Sequence, residues 1–100
     1  MASSGERLVI LNCSATWCGP CKLFKPTYNL FAEEYEKKAH FLSVTGDKNE
    51  STNKLMRRLE VKTVPAFFFF KNGKEVSKFS GANKTGFRNH LTSLLPEGQL

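Results

Sequence analysis

The chain has 100 residues, of which 40% are hydrophobic and 24% charged, a composition that favours one globular domain over a disordered or fibrous chain. Its longest apolar stretch, residues 64–70, contains a proline and is far shorter than the roughly 18 residues of a membrane-spanning helix. The net charge of +6 fits acidic partners or a solvated basic surface. No nucleic-acid-binding signature accompanies that charge, so we expect no nucleic-acid partner.

The cysteine content indicates a reducing compartment. Three cysteines cannot all pair with one another, and small secreted scaffolds usually carry more cysteines in even numbers. In a reducing compartment, two cysteines close in sequence are more often catalytic or metal-binding than structural.

The first half of the chain predicts a strand–helix–strand unit. Residues 8–13 are a short apolar run rich in branched side chains, typical of a buried strand in a parallel arrangement. Residues 18–38 repeat aromatic side chains at helical spacing, with Pro26 inside the helix and the lysines 37–38 in its last turn. Residues 40–45 alternate as a second strand. Because a helix joins the two strands, we expect them to be parallel.

The second half predicts a helix, a hairpin and a final helix. Residues 49–59 carry an apolar stripe at helical spacing, and residues 64–70 form a strand introduced by a proline. The Asn-Gly pair at 72–73 is a strong hairpin signal, followed by a returning strand at 75–79. A last helix follows at 85–95. The order β-α-β-α-β-β-α predicts an α/β fold with a central mixed sheet flanked by helices.

The segment Trp17-Cys18-Gly19-Pro20-Cys21 lies where the first strand leads into the first helix. The first turn of a helix has unpaired N–H groups and a partial positive charge, so it stabilises a nucleophilic Cys18 thiolate. Cys21 is one helical turn away, close enough for a disulfide. Gly19 permits close approach, and Pro20 stiffens the turn where its missing N–H costs little. The spacing predicts thiol–disulfide exchange, with Cys18 attacking a partner disulfide and Cys21 resolving the mixed disulfide.

A structural zinc site is the alternative for a single cysteine pair. Zinc normally has four protein ligands, and the remaining candidates, Cys13, His40 and His90, form no second close pair. We therefore expect no metal. Cys13 is expected to be a buried inert thiol, with a regulatory role as the alternative. His40 and His90 are expected to be ordinary surface or strand-end residues.

Four motifs together resemble the thioredoxin family. Residues 14–22 match its active-site signature, residues 64–65 its cis-proline loop, residues 71–73 its hairpin, and residues 79–84 a segment of the cytosolic thioredoxins of eukaryotes. The match extends over residues 8–95. The resemblance implies a thioredoxin fold and a cytoplasmic protein-disulfide reductase. Such a protein needs no cofactor beyond its redox-active disulfide and takes electrons from a thioredoxin reductase or a similar donor.

The resemblance also implies roles for residues outside the cysteine pair. Pro65 would follow a cis peptide bond and face the cysteines, while the backbone of Val64 would pair with an extended substrate segment. Lys22 either assists the thiolate or lies on a solvated helix face. Lys62 beside this loop suggests acidic substrates. The apolar rim that seats the partner is expected to consist of Trp17, Val64, Gly81 and Ala82.

The sequence departs from the family at two polar positions. Asn12 stands where most thioredoxins have a buried aspartate that helps to deprotonate the second cysteine, and Ser43 stands at the position of its usual lysine partner. An amide cannot accept that proton, so we expect an active site with slow release of the mixed disulfide. The alternative function is a redox-dependent interaction module in which turnover is incidental. An oxidase or isomerase is disfavoured by the Gly19-Pro20 pair.

The N-terminus is short for the family. Only residues 1–7 precede the first strand, and we interpret them as a disordered or cloning-derived leader, residues 8–95 as the domain and 96–100 as a tail. The family's N-terminal strand and helix would then be missing, leaving the second strand as a sheet edge. Phe41 and Val44 on that strand could favour a weak dimer or a partner contact, although a monomer is expected.

Overall fold

A computed structural model describes residues 7–95, which form the predicted order of four strands and three helices. Residues 1–6 of the predicted leader and the whole predicted tail, residues 96–100, lie outside the described residues. The guanidinium of Arg7 donates hydrogen bonds to the carbonyls of Glu36 and Ala39. The elements are β1 (Leu8–Ser14), α1 (Gly19–Glu34), β2 (Ala39–Thr45), α2 (Glu50–Arg58), β3 (Ala66–Lys71), β4 (Lys74–Ser80) and α3 (Lys84–Leu94).

The four strands form one mixed sheet in the order β2-β1-β3-β4. β1 and β2 are parallel, as predicted from the connecting helix, while β3 runs antiparallel to both β1 and β4. Asn72 and Gly73 form the β3–β4 turn with φ angles of 54° and 78°, a conformation that Asn and Gly adopt most readily. The thioredoxin fold predicted for the chain is confirmed, and within residues 7–95 no strand or helix precedes β1.

Two predicted boundaries differ from the structure by more than one residue. α1 ends at Glu34 rather than at residue 38, so the lysines 37–38 lie in the turn after the helix and not in its last turn. The chain turns back there because the N–H of Ala39 bonds to the carbonyl of Tyr35 at 2.9 Å and leads directly into β2. β3 begins at Ala66 and not at residue 64, since Pro65 has no N–H to donate to the sheet.

The sheet separates two apolar cores, because side chains along a strand alternate between its faces. Phe67 and Phe69 pack beneath α1 and α3, around the fully buried Phe87 of α3. Phe68 and Phe70 belong to the second core, beneath α2. The prediction that the four consecutive phenylalanines are core on both sides of the sheet is confirmed.

β2 forms one outer edge of the described sheet, as predicted. The two side chains proposed for an edge contact point inward instead. Phe41 packs against Tyr28 with ring centroids 5.4 Å apart, and Val44 packs on the second core. Leu42 is the exposed large apolar side chain of this strand. Phe41 and Val44 are therefore largely engaged within the fold, and the weak dimer or partner contact expected through them stays a prediction.

None of the described helices is long and apolar enough to cross a membrane.

Candidate active site

The Cys18–Cys21 pair lies at the junction of β1 and α1, where sequence analysis placed it. Cys18 is the N-cap residue of α1, with an extended backbone, and its Sγ accepts a hydrogen bond from the N–H of Cys21 at 3.1 Å. The two residues form a disulfide with a Cα–Cα distance of 5.3 Å. Pro20 lies in the first helical turn, where no intrahelical hydrogen bond is lost. The first cysteine therefore faces the N–H groups that favour a thiolate.

The proline loop packs onto the cysteine pair. Val64 contacts the buried cluster of Ala15, Cys18 and Cys21, and the Val64–Pro65 peptide bond is cis, as expected. The N–H of Gly81 donates to the carbonyl of Pro65 at 3.0 Å, so the β4–α3 loop is fixed to the same site. Gly81 has a φ of +102°, which disfavours a side chain there.

The surface around the pair is open to a partner. Trp17 is largely exposed and, with Val64 and Lys62, lines a cleft of about 230 Å³. Ala82 is exposed beyond Gly81, and the side chain of Lys22 lies on the exposed surface of α1. A side chain at Gly19 would meet no atom within 4 Å. No intramolecular contact therefore requires glycine at position 19.

Asn12 lies in β1 on the face covered by α1 and α3, directly beside Ser43 of β2. Its side chain is 9% exposed, and its Oδ1 atom has no hydrogen-bond partner among the described residues. Every Asp and Glu side chain in the described part of the chain is exposed, so that part contains no buried carboxylate. The Asn12 amide thus lies on an apolar face, with no buried carboxylate among the described residues to accept a proton.

Asp47, the only aspartate in the chain, was not among the residues predicted for the site. Its carboxylate accepts hydrogen bonds from the backbone N–H of Thr16 at 2.9 Å and from the Thr16 hydroxyl at 2.5 Å. The hydroxyl and backbone bonds from Thr16 hold the pKa of Asp47 below its usual range. Asp47 follows β2, which ends beside the parallel strand β1, and that juxtaposition was the available signal. The hydrogen bonds between Asp47 and Thr16 fix the loop that precedes Trp17.

The remaining candidates lie away from the cysteine pair. Cys13 is fully buried on the α2 side of the sheet, and burial raises the pKa of its thiol to about 12, in agreement with an inert thiol. His40 is exposed on β2. His90 is half-buried on α3, where its Nε2 lies 2.6 Å from the Ser77 hydroxyl. Within residues 7–95, no three His, Cys, Asp or Glu side chains are grouped so that they could hold a metal ion.

The cysteine pair at a helix N-terminus and the cis-proline loop that packs on it define a thiol–disulfide oxidoreductase site. Comparisons with known proteins agree with this class. The thioredoxin family model matches residues 2–93. The chain is 43% identical to the thioredoxin of Ovis aries and 44% identical to that of Homo sapiens, in each case over 93% of this chain and 85% of the relative.

Solved structures give the same result. The thioredoxin of Fasciola hepatica superposes with a TM-score of 0.81 at 35% identity, covering 91% of this chain and 85% of that one. A poplar thioredoxin h superposes with a TM-score of 0.82 at 35% identity, covering 93% and 80%. The chain belongs to the thioredoxin family and is a thiol–disulfide oxidoreductase of protein disulfides. Membership implies disulfide-containing substrates and thioredoxin reductase as the electron donor. The alternative of a module that only binds partners is not favoured.

Proposed function

We propose that Cys18 is the attacking thiolate and Cys21 the resolving thiol. In the reduced protein, the Cys18 thiolate attacks one sulfur of the substrate disulfide. The Cys18–substrate bond forms, the substrate S–S bond breaks, and the departing thiolate takes a proton. The Cys21 thiol then loses its proton and its sulfur attacks Cys18. The Cys18–Cys21 bond forms, the second substrate thiolate leaves, and two electrons have passed to the substrate.

The hydrogen bond from the Cys21 N–H to the Cys18 sulfur supports this assignment of roles. Both cysteines are less than a tenth exposed, so exposure does not distinguish them. The positions of the two cysteines in α1 distinguish them, because Cys18 is the N-cap residue and Cys21 lies inside the first turn. Unpaired N–H groups and the helix dipole stabilise negative charge at the cap. Cys18 is therefore the better thiolate for the first attack, and in the resolving step its sulfur is the one that Cys21 attacks while the substrate thiolate leaves.

The resolving step is proposed to be slow because Asn12 cannot take the Cys21 proton. The amide has no ionisable group, and the described residues offer no buried carboxylate in its place. Solvent or backbone groups then accept the proton, which preserves turnover at a lower rate. The mixed disulfide with substrate is expected to be longer-lived than in relatives with an acid at this position.

The surrounding surface supports a choice of substrates. Trp17, Val64, Gly81 and Ala82 are proposed to seat an extended segment of the substrate, paired with the backbone of Val64. Lys62 in the adjoining cleft and the net charge of +6 favour acidic segments. The electrons reside in the cysteine pair itself, so no bound cofactor is needed. A reducing compartment, the cytoplasm, suits a chain with an odd number of cysteines.

The roles are tested by measuring turnover of a protein disulfide with excess dithiol. Cys18→Ser should abolish the catalysed rate, whereas Cys21→Ser should accumulate a mixed disulfide with the substrate. Asn12→Asp should shorten the lifetime of that mixed disulfide in the otherwise native protein. A mixed disulfide trapped at Cys21 in the Cys18→Ser protein would reverse the assigned roles. A parent chain no faster than dithiol alone would refute the proposed function.

A further inference from the structure

Large apolar side chains that remain exposed are concentrated on one part of the described surface. Residues 7–95 include five of them, and three lie at the β1–α1 junction or on α1. Trp17 belongs to the rim of the active site. Leu23 and Leu30 are 82% and 62% exposed and have no part in the exchange chemistry. Two leucines so exposed on one helix require an explanation, since either could be polar at no cost to the core.

Their helical positions place them in a single stripe. At 100° per residue, Leu23, Thr27, Leu30 and Glu34 fall within about 60° around α1. Lys25 and Asn29 lie about 100° or more from the nearest leucine, on the other edge of the solvent-facing surface. The stripe starts about one turn after Gly19 and Pro20, the two exposed residues between the cysteines. The apolar surface therefore continues from the active site along one side of the helix.

The stripe borders a groove between α1 and α3. This groove has a volume of about 470 Å³ and is lined by Thr27, Leu30, Phe31, Glu33, Glu34, Lys84 and Arg88. Arg88 of α3 closes its wall through contacts that include an ion pair and a ring contact. The guanidinium bonds to the Glu34 carboxylate at 3.0 Å and lies 4.8 Å from the centre of the Phe31 ring. The groove thus has an apolar floor and charges of both signs on its walls.

We propose that this groove is a second substrate contact, which holds an amphipathic helix of the disulfide-bearing partner. The inference rests on the proposed reductase function, because it assigns a docking site to the same substrates. Leu23 and Leu30 are seven residues apart, about 10 Å along the axis. A helix with apolar residues at positions i, i+3 or i+4, and i+7 matches that spacing. Continuity with the exposed Gly19 and Pro20 between the cysteines places the partner's disulfide at one end of the bound helix.

A second copy of the chain is a less suitable occupant. Each copy carries a net charge of +6, which opposes self-association. Glu33 and Lys84 flank the groove, so a helix with flanking charges of both signs is accommodated. The contact would raise the local concentration of the target disulfide and select substrates by a feature remote from the cysteines.

The test compares two peptide disulfides. One carries an amphipathic helix with leucines on one face next to a cysteine linked to a small thiol, and the other has those leucines replaced by glutamine, which preserves helix propensity. The measured quantity is the ratio of kcat/KM for the two peptides. We expect the parent to prefer the leucine peptide about tenfold, equivalent to ~1.4 kcal/mol. In the Leu23→Gln/Leu30→Gln variant, the ratio of kcat/KM for the leucine peptide to that for the glutamine peptide should fall to about twofold or less.

Leu42→Gln/Val76→Gln is the matched control, because it removes exposed apolar side chains from β2 and β4 instead. This control should keep the tenfold ratio. A parent ratio near one, or a ratio that survives in the α1 variant, overturns the docking proposal. So does sedimentation showing a dimer of the parent that the α1 variant loses, since the groove would then hold a second copy.

Failure of the reductase function is detected separately. If the parent reduces neither the peptides nor a small free disulfide, the proposed function fails. The docking proposal is then tested by binding alone. The leucine peptide, made without its cysteine, is added to the Cys18→Ser/Cys21→Ser variant and its binding is measured. Binding that disappears on adding Leu23→Gln and Leu30→Gln supports the groove, whereas no binding, or binding unaffected by these changes, refutes it.

Discussion

Replacing Asn12 by aspartate should make the stability of the protein depend on pH. The side chain is 9% exposed and its Oδ1 has no partner among the described residues, so an isosteric carboxyl would be buried without compensation. Burial disfavours the charged form and raises the pKa of a carboxyl, by up to about 3–5 units for fully buried groups. A rise of about three units would take this carboxyl from about 4 to about 7.

The sign and size of the effect follow from linkage. Because the folded pKa lies above the unfolded value, the variant is unpenalised below about pH 4, loses stability progressively as pH rises from about 4 through about 7, and carries the full loss above that. Three units correspond to ~4 kcal/mol of unfolding free energy, a large part of the 5–15 kcal/mol typical of a domain. The same carboxyl, half ionised near neutral pH, would be able to accept the Cys21 proton.

The assay is urea unfolding of the oxidised parent and Asn12→Asp at about pH 5, 7 and 9. Ser43→Asp is the matched control, because Ser43 is exposed and is the cross-strand neighbour of Asn12. This variant should show no such loss of stability. If Asn12→Asp and Ser43→Asp show the same pH dependence, position 12 is solvated. The reason given for slow resolution would then be wrong.

Three further changes test other parts of the fold. Asp47→Ala should increase hydrogen exchange at the Thr16 amide; in the parent, protection should decline as pH falls through the lowered pKa of Asp47, and pH-independent exchange would contradict this. Phe87→Ala should cost about 3–5 kcal/mol of unfolding free energy, measured in urea, because Phe87 is fully buried among aromatic rings; under 1 kcal/mol would contradict the described packing. Tyr28→Phe should cost about 1–2 kcal/mol, since the hydroxyl donates to the Leu42 carbonyl at 2.7 Å. Burial raises the pKa of Tyr28, so its contribution should be lost as pH rises above about 10, and Tyr28→Phe should lose less stability there than the parent.

Much of the fold was predictable because local patterns and global packing agree. The alternation in 66–71 put successive phenylalanines on opposite faces, and the Asn-Gly pair fixed the hairpin. The end of α1 was not predictable from periodicity. Tyr35 continues the apolar spacing of the helix, yet its backbone already leaves helical geometry to lead into β2. A buried side chain can thus follow a helix pattern beyond the helix itself.

The candidate site shows the same division. Cys18, Cys21 and the cis peptide before Pro65 follow from the sequence, since each depends on a local motif. The contact between Asp47 and Thr16 joins residues 31 positions apart, so only the pairing of β1 with β2 reveals it. Exposure on α1 was equally hidden, because an apolar stripe in a sequence does not show which of its members the core covers.

Cys13 has a consequence for how unfolding is observed. The sheet lies between this thiol and the face that carries Asn12, and Cys13 has no exposed surface. In the oxidised protein the other two sulfurs are joined to each other, leaving Cys13 as the one thiol of the chain. At neutral pH an alkylating reagent reacts with it only in molecules that have opened. The rate at which Cys13 is alkylated therefore reports on opening of the folded protein, and it can be measured without denaturant.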